Sequence, residues 1–302
     1  MRILTLRSGT AIGDTLVAFP IIRVLREKYN GSHFTFVGHP TVLPLAQAWG
    51  LADEVYAMSQ YPWVELYQDE GITSPSWRNL LQQTDLAISL MRNGSEPLKR
   101  NLLEAGAREA IAAHEYQDPR PLKHVVEYLA SSIGLEEISA DHIPAITNSD
   151  RVFRPFNPPV AIHPGSSEML RCWSADSFAS VINQLLRLRQ PVLLLAGPQD
   201  SEQLRDVRRH LIAPPQAGLL TILKDAPILE VAHSIQQCKC YLGNDSGMTH
   251  LAALLGIPTI VMIHPSAVIH MHPLGPSVEM IAVERLERLS VKRVFDSVRK
   301  YI

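Results

Sequence analysis

Cysteine is scarce in this 302-residue sequence, which contains three cysteines and no Cys-x-x-Cys pair. Zinc ribbons need such pairs, and disulfide frameworks need more cysteines at regular spacings. Cys172, Cys238 and Cys240 are therefore expected to be buried or half-buried thiols in a reducing compartment.

Long apolar runs are also missing. No stretch reaches the roughly 18 consecutive apolar residues of a membrane span. The first residues, MRILTLRSG, form a strand-like run without the charged leader and cleavage site of a signal peptide. Hydrophobic residues still make up 46% of the chain, which is enough for a large core, and the length predicts about two domains. We expect a cytoplasmic globular protein with at most peripheral membrane association.

A basic stripe of the kind that binds nucleic acid is absent. The net charge is −2, but residues 1–150 carry 12 Lys and Arg against 18 Asp and Glu, whereas residues 151–302 carry 16 against 12. The mildly basic second half suits a small anionic ligand, and neither half suits a nucleic acid.

Apolar runs of strand length alternate with helical patterns along the chain. The runs are RILTLR, HFTFVG, LAISL, PVAIHPG, PVLLLAGP, CYLGND and PTIVMIHP. Stretches such as TLVAFPIIRVLREKY and SFASVINQLLRLR have apolar residues every three or four positions, which is typical of helices that cover a parallel sheet. The alternation predicts an α/β protein with two Rossmann-like domains.

The domain boundary is predicted from a proline-rich stretch near residues 147–159, which has three prolines close together. We expect one domain over residues 1–152 and a second over residues 153–289. The final segment, about 290–302, is predicted to be an amphipathic helix with a basic outer face that packs back on the first domain.

Two strand-to-helix junctions each contain one carboxylate. Asp14 lies in LRSGTAIGDTL and Asp245 lies in YLGNDSGMTH. Either residue could simply cap a helix and meet the positive end of its dipole. Gly247, however, lets backbone N–H groups approach an anion closely, as at phosphate-binding helix starts. Neither loop is a dinucleotide-binding G-x-G-x-x-G or a P-loop.

A third junction, HPGSSEMLRCW, adds hydroxyls at Ser166 and Ser167 and a guanidinium at Arg171, all suited to phosphate oxygens. This segment is followed by LLLAGPQDSE, ILEVA and GNDSGMTHLAALLGIPTI, and IGDTLVAFPIIRVLR stands near the N-terminus. In this order the motifs resemble glycosyltransferase family 9 over nearly the whole chain. The best-known members of that family are ADP-heptose:lipopolysaccharide heptosyltransferases.

The resemblance implies a GT-B architecture, in which two Rossmann-like domains with parallel sheets face a central cleft. The acceptor would bind the N-terminal domain and the nucleotide-sugar donor the C-terminal domain. By resemblance, Asp14 is the general base that deprotonates the acceptor hydroxyl for a single inverting displacement. Gly13, Arg7 and Arg92 are candidates on the acceptor side, although both arginines could instead be solvated loop residues.

The donor residues are also implied by the resemblance. Ser166 and Ser167 match hydroxyls that bind donor phosphates, and Arg171 stands where the heptosyltransferases carry a lysine. Asp245 matches an aspartate that contacts sugar hydroxyls. The N–H groups of Ser246, Gly247 and Met248 would face the diphosphate.

Glu202 matches an acidic residue that hydrogen-bonds the ribose, or else it only supplies negative charge to a helix start.

No cofactor and no metal are expected, because the chain has no Asp-x-Asp motif and fixed dipoles can offset the charge on the leaving nucleotide. Structural or solvent-facing roles are expected for the histidines His163, His264, His270 and His272. His250 either buttresses the phosphate loop or belongs to the core.

The sequence therefore predicts an inverting glycosyltransferase that moves a heptose or related hexose to a hydroxyl of a cell-surface glycan or glycolipid. ADP is favoured over UDP or GDP by resemblance alone, because the loop at residues 263–276 departs from the family pattern. Two alternatives stay open: a GT-B-like sugar-nucleotide epimerase, which needs no acceptor, and a non-catalytic two-lobed binding protein.

Replacing Arg171 by alanine should weaken binding of the preferred nucleoside diphosphate. Loss of one charge-assisted phosphate contact costs about 1.5 to 3 kcal/mol, or about ten- to a hundredfold in affinity. Titration calorimetry measures this affinity directly. An unchanged affinity in Arg171→Ala would exclude the assignment.

Overall fold

The structure is a computed structural model that describes residues 1–7, 11–91, 95–113, 123–135, 138–146, 155–166, 168, 172–212 and 218–302. The chain divides into two compact units, Met1–Ala140 and Asp141–Ile302. Both are α/β units built on a parallel sheet, which confirms the predicted fold class. No helix in the described ranges combines the length and the apolarity that crossing a membrane requires.

The first unit has a five-stranded sheet in the order β3-β2-β1-β4-β5. Its strands are β1 (Arg2–Leu6), β2 (His33–Gly38), β3 (Glu54–Ala57), β4 (Leu86–Ser89) and β5 (Glu109–Ala112). Its helices are α1 (Ile12–Leu16), α2 (Phe19–Lys28), α3 (Leu43–Ala48), α4 (Pro75–Leu81), α5 (Ser95–Glu104) and α6 (Val125–Ser132). All four strand pairs are parallel.

The second unit has a six-stranded parallel sheet in the order β11-β10-β9-β6-β7-β8. Its strands are β6 (Val160–His163), β7 (Val192–Ala196), β8 (Leu220–Lys224), β9 (Cys240–Asn244), β10 (Thr259–Ile263) and β11 (Val278–Ala282). Its helices are α7 (Ala175–Arg187), α8 (Ser201–Arg209), α9 (Ile228–Gln236), α10 (Gly247–Leu254) and α11 (Val291–Arg299).

The central strands form the core because helices cover both faces of a parallel sheet, so every position along such a strand is apolar or internally bonded. Every residue of β6, β7, β9 and β10 is buried. Cys238 and Cys240 are buried free thiols and Cys172 is half-buried, as predicted.

The single helix predicted from TLVAFPIIRVLREKY is two helices in the structure. α1 ends at Leu16 and α2 begins at Phe19, with Pro20 in its first turn. Proline has no N–H to donate and clashes with the preceding turn inside a helix, but it fits a helix start. The break therefore falls at residues 17–18, and Pro20 is the second residue of α2.

The boundary between the units lies earlier than the predicted division after residue 152. Residues just after Ala140 pack on the second unit: the Ile146 N–H donates to the Leu254 carbonyl at 2.7 Å, and an added Cβ on Gly256 would meet Ala145. The proline-rich segment follows this packed stretch in the sequence. Residues 147–154 of it lie outside the described residues.

The C-terminal helix α11 belongs to the core of the second unit, whereas the sequence predicts packing on the first domain. Val294, Phe295 and Val298 join the cluster that contains Phe178 and Ile182 of α7. The sequence shows the apolar face of this helix, but an apolar face does not indicate which domain it packs against.

Candidate active site

Each sheet has a point where the strand order reverses beside its first strand. β1 lies between β2 and β4, and β6 lies between β9 and β7. In open α/β sheets, ligands bind outside the carboxyl ends of the strands at such a switch point. The predicted site residues that the structure describes follow β1, β6, β7 and β9, so most of them stand at these two places.

In the first unit, Asp14 is the third residue of α1, and its side chain is half-buried. Ala11, not Asp14, occupies the N-cap position, and no side chain caps this helix start. Asp14 remains in the first turn, where the helix dipole favours a carboxylate. Gly13 precedes it and is buried.

Arg7 is 1% exposed, so the interpretation of this residue as a solvated loop side chain is wrong. Its Nε donates to the Asp14 carbonyl at 2.8 Å and its Nη1 donates to the Leu90 carbonyl at 2.6 Å. The guanidinium therefore joins the ends of β1 and β4 to the helix that carries Asp14. The burial of Arg7 comes from contacts with segments distant in sequence, so the sequence alone did not indicate this role.

His39 follows β2 and lies near Asp14, a proximity that the sequence did not indicate. Burial lowers the pKa of His39, and the Asp14 carboxylate opposes part of that shift. The backbone N–H of His39 donates to Thr15 Oγ1, and its Nδ1 accepts the Thr41 N–H, both at 3.3 Å. The sequence feature that could have indicated His39 is its position directly after the strand HFTFVG, at the carboxyl end of β2.

In the second unit, hydrogen bonds join the loops after β6 and β9. Ser166 Oγ donates to the Asp245 carbonyl at 2.9 Å. Asn244 Nδ2 donates to the Pro164 carbonyl at 2.7 Å, and its Oδ1 accepts the Trp173 N–H at 3.0 Å. The structure thus brings Ser166 and the Asp245 segment together. Ser167 and Arg171 lie outside the described residues, as does Arg92 of the first unit.

The start of α10 leaves backbone N–H groups open. Ser246 is its N-cap residue, with an extended backbone and no side-chain cap. Within the described ranges, the backbone N–H groups of Ser246, Gly247 and Met248 donate to no protein acceptor. Open N–H groups at the positive end of a helix dipole bind phosphate and carboxylate groups.

His250 is buried and Asp245 is half-buried beside this helix start. His250 Nε2 lies 4.0 Å from Asp245 Oδ1, with side-chain exposures of 6% and 12%. Asp245 also borders a cavity of about 740 Å³ that Met262, His264 and Arg285 help to line. Cavities of this size hold small-molecule ligands. One aspartate is therefore next to both the open N–H groups and a ligand-sized cavity.

The prediction for His163 missed its polar partners. His163 is buried, with 5% of the residue exposed. Its Nε2 lies 2.9 Å from Asp200 Oδ2, and its Nδ1 lies 3.4 Å from Ser246 Oγ. Burial would raise the pKa of Asp200, but the hydrogen bond and charge of His163, with the Gly197 N–H, lower it overall. Asp200 was not identified from sequence, although it stands in the motif AGPQDS.

Glu202 lies in the first turn of α8 and is exposed, and its carboxylate pairs with Arg205 at 3.2 Å. This is the contact expected of a residue that supplies charge to a helix start. The described residues contain no group of three His, Cys, Asp or Glu side chains that could hold a metal ion.

Comparison with known proteins gives the family. The model for glycosyltransferase family 9 (heptosyltransferase) matches residues 112–301. The chain therefore belongs to glycosyltransferase family 9.

Individual relatives are distant. Lipopolysaccharide heptosyltransferase 3 of Escherichia coli (strain K12) is 23% identical over 145 residues, which are 47% of this chain and 41% of that protein. The chain thus spans less than half the length of this relative. Lipooligosaccharide heptosyltransferase 2 of Campylobacter jejuni subsp. jejuni serotype O:2 is 18% identical over 270 residues, 85% of this chain and 79% of that protein.

The solved structure of the ADP-heptose lipopolysaccharide heptosyltransferase II of E. coli matches with a TM-score of 0.78 at 19% identity. The match covers 100% of this chain and 98% of that one. At this identity the likeness shows the fold, and the fold class is GT-B.

The Asp200–His163 pair predicts a pH dependence of stability. A carboxyl whose folded-state pKa is lowered stabilises the fold fully above its ordinary value, 3.8 for Asp200, and loses this contribution as the pH falls through the folded-state pKa. Urea unfolding from about pH 6 to about pH 3 should therefore show a shallower loss of stability in Asp200→Asn than in the wild type. Parallel curves would contradict the pairing.

Proposed function

We propose that this protein is an inverting, metal-independent glycosyltransferase that moves a heptose or a related hexose from an ADP-linked donor to a hydroxyl of a glycan or glycolipid acceptor. Membership of family 9 supports glycosyl transfer. The names of the relatives, which are lipopolysaccharide and lipooligosaccharide heptosyltransferases, support heptose as the sugar and a lipopolysaccharide-type acceptor. We place the reaction in the cytoplasm, with at most peripheral contact with a membrane.

The observation that carries the proposal is the open helix start at Ser246, Gly247 and Met248, which lies at the switch point of the second sheet. A diphosphate placed there would accept these N–H groups, with the Ser166 hydroxyl nearby on the neighbouring loop. Asp245 would contact the hydroxyls of the transferred sugar, because its carboxylate borders the adjacent cavity. Ser167 and Arg171 belong to the same proposed phosphate site.

In the proposed reaction, Asp14 accepts the proton of the acceptor hydroxyl while that oxygen bonds to the anomeric carbon. The bond between this carbon and the diphosphate oxygen breaks, and the nucleoside diphosphate leaves with the electron pair. One displacement on a single carbon inverts its configuration and needs no covalent enzyme intermediate. The dipole and N–H groups of α10 offset the charge that builds on the leaving group.

Arg7 and Gly13 have supporting roles in this proposal. Arg7 holds the backbone of Asp14 in place through its carbonyl contact, so it acts on the base through position and not through the acceptor. Glu202 is assigned to the ribose of the donor. Its carboxylate now pairs with Arg205, so donor binding would have to replace this ion pair with a hydrogen bond to the ribose.

A ligand panel followed by a transfer assay tests the proposal. ADP, UDP, GDP and their sugar conjugates are ranked by thermal shift, and the best donor is then incubated with and without a glycolipid acceptor. Transfer that requires the acceptor supports the proposal. Conversion of the donor without any acceptor would indicate an epimerase, and binding without turnover would indicate a binding protein.

Replacing Asp14 by asparagine should abolish most turnover and leave the fold intact. Asparagine cannot take the acceptor proton, so we expect kcat to fall by roughly 10² to 10⁴ with donor affinity nearly unchanged. The lost charge in the first turn should cost about 1 kcal/mol or less. Kinetics, calorimetry and melting temperature are measured on the same preparation.

Asp69→Asn is the matched control, because the Asp69 side chain is 96% exposed in the same unit. It should retain wild-type turnover. A kcat of Asp14→Asn within about threefold of the wild type would rule out Asp14 as the base.

Turnover should persist in excess EDTA, because fixed backbone dipoles and a guanidinium take the role that a divalent cation has in metal-dependent enzymes. The assay compares initial rates before and after chelation. Loss of activity that magnesium or manganese restores would contradict metal independence.

A further inference from the structure

His163 stands at the centre of a buried polar network that the proposed reaction does not use. It ends β6, the first strand of the second sheet, and its ring reaches the loops that follow both neighbouring strands. One ring nitrogen contacts Asp200 after β7 and the other contacts Ser246 after β9. Two loops and one strand end are therefore tied through one imidazole.

Asp200 is held firmly in this network. Its Oδ2 accepts the Gly197 N–H at 2.7 Å and faces His163 Nε2 at 2.9 Å. A Cβ atom added to Gly165 would overlap the Asp200 carboxylate, so only a glycine at position 165 leaves room for this carboxylate. The ionised carboxylate only accepts hydrogen bonds, and His163 Nε2 must therefore carry a hydrogen.

The other contacts of the network surround Ser246. Thr249 Oγ1 donates to the Asn244 carbonyl, so it accepts at its contacts with Tyr241 Oη (3.1 Å) and Ser246 Oγ (3.2 Å). Ser246 Oγ lies 3.2 Å from Thr249 Oγ1 and 3.4 Å from His163 Nδ1, so its hydroxyl is shared between these two partners.

In this arrangement the Ser246 side chain does not make the hydrogen bond that is usual for an N-cap serine. A serine at an N-cap normally accepts the N–H of the second or third helical residue through its hydroxyl oxygen. Here Ser246 makes no such bond, and its hydroxyl contacts His163 and Thr249 instead. The Met248 N–H, which would be the second-residue donor, stays open.

We propose that His163 and Asp200 are positioning residues that keep the Ser246 hydroxyl from capping its own helix, so that the N–H groups at the start of α10 remain available to the donor diphosphate. This inference rests on the proposed donor site. Without His163, the Ser246 hydroxyl loses one of its two partners and turns to the Met248 N–H. The helix start then satisfies itself and competes with the phosphate.

The experiment is a double-mutant cycle with ADP as the probe, measured by titration calorimetry on the full chain. The four proteins are the wild type, His163→Ala, Ser246→Ala and the double variant. We expect His163→Ala to weaken ADP binding by about ten- to a hundredfold, the value of one charge-assisted phosphate contact. Removal of His163 should cost little further affinity when Ser246 is already alanine, because no hydroxyl is left to cap the helix.

Two further variants separate positioning from general stability. His163→Asn restores a hydrogen-bonding group near the position of Nδ1 and should recover part of the affinity. His124→Ala removes another buried histidine, 2% exposed and in the first unit, and should leave ADP affinity unchanged. In steady-state assays, His163→Ala should raise the donor KM by more than it lowers kcat.

Additive losses in the cycle would overturn the inference, as would unchanged affinity in His163→Ala. If His163→Ala does not fold, Asp200→Ala replaces it in the same cycle and is judged by the same criteria. A wild-type protein that binds no nucleoside diphosphate would instead overturn the proposed function, so the two failures are distinguishable.

Discussion

The parallel pairing of the central strands is the constraint on which each unit depends. β1 pairs with β2 and β4, and β6 pairs with β7 and β9, all in the same direction. Parallel strands end at the same edge of a sheet, so the loops that carry polar residues are gathered there. Because helices cover the faces of the sheet, this edge is where charged and hydrogen-bonding groups can meet without disturbing the core.

Polar groups at that edge are satisfied by one another across loops that are far apart in sequence. Asn244 bonds the loop after β6, and Arg7 bonds the loop after β4. A buried amide or guanidinium without partners would cost several kcal/mol, whereas a bonded one fixes the loop that it reaches. The start of α10 is different, because its N–H groups stay open while the side chain beside them is engaged elsewhere. This contrast separates a structural junction from a candidate ligand site.

Family membership and low identity fit together in this chain. The relatives are about a fifth identical to it over the aligned residues, yet the fold of the E. coli heptosyltransferase II is matched over the full chain. Cores tolerate exchange among apolar residues when volume and pattern are kept. Site residues lack this freedom, because their hydrogen-bonding atoms must stand at fixed places. The family resemblance accordingly lies in the order of several strand-to-helix junctions along the chain, including those of Asp14 and Asp245.

The sequence by itself determined the α/β class, the seven strands with continuous apolar runs, the helix starts at both aspartates and the family. It did not reveal β3, β5, β8 and β11, and each of these lies at an edge of its sheet. Edge strands are partly exposed and carry charges such as Glu109 and Lys224, so they show no unbroken apolar run. Tertiary structure alone decided the division at Ala140, the burial of Arg7 and the partners of His163. These depend on contacts between segments distant along the chain, whereas a sequence pattern records only how one segment divides its faces between core and solvent.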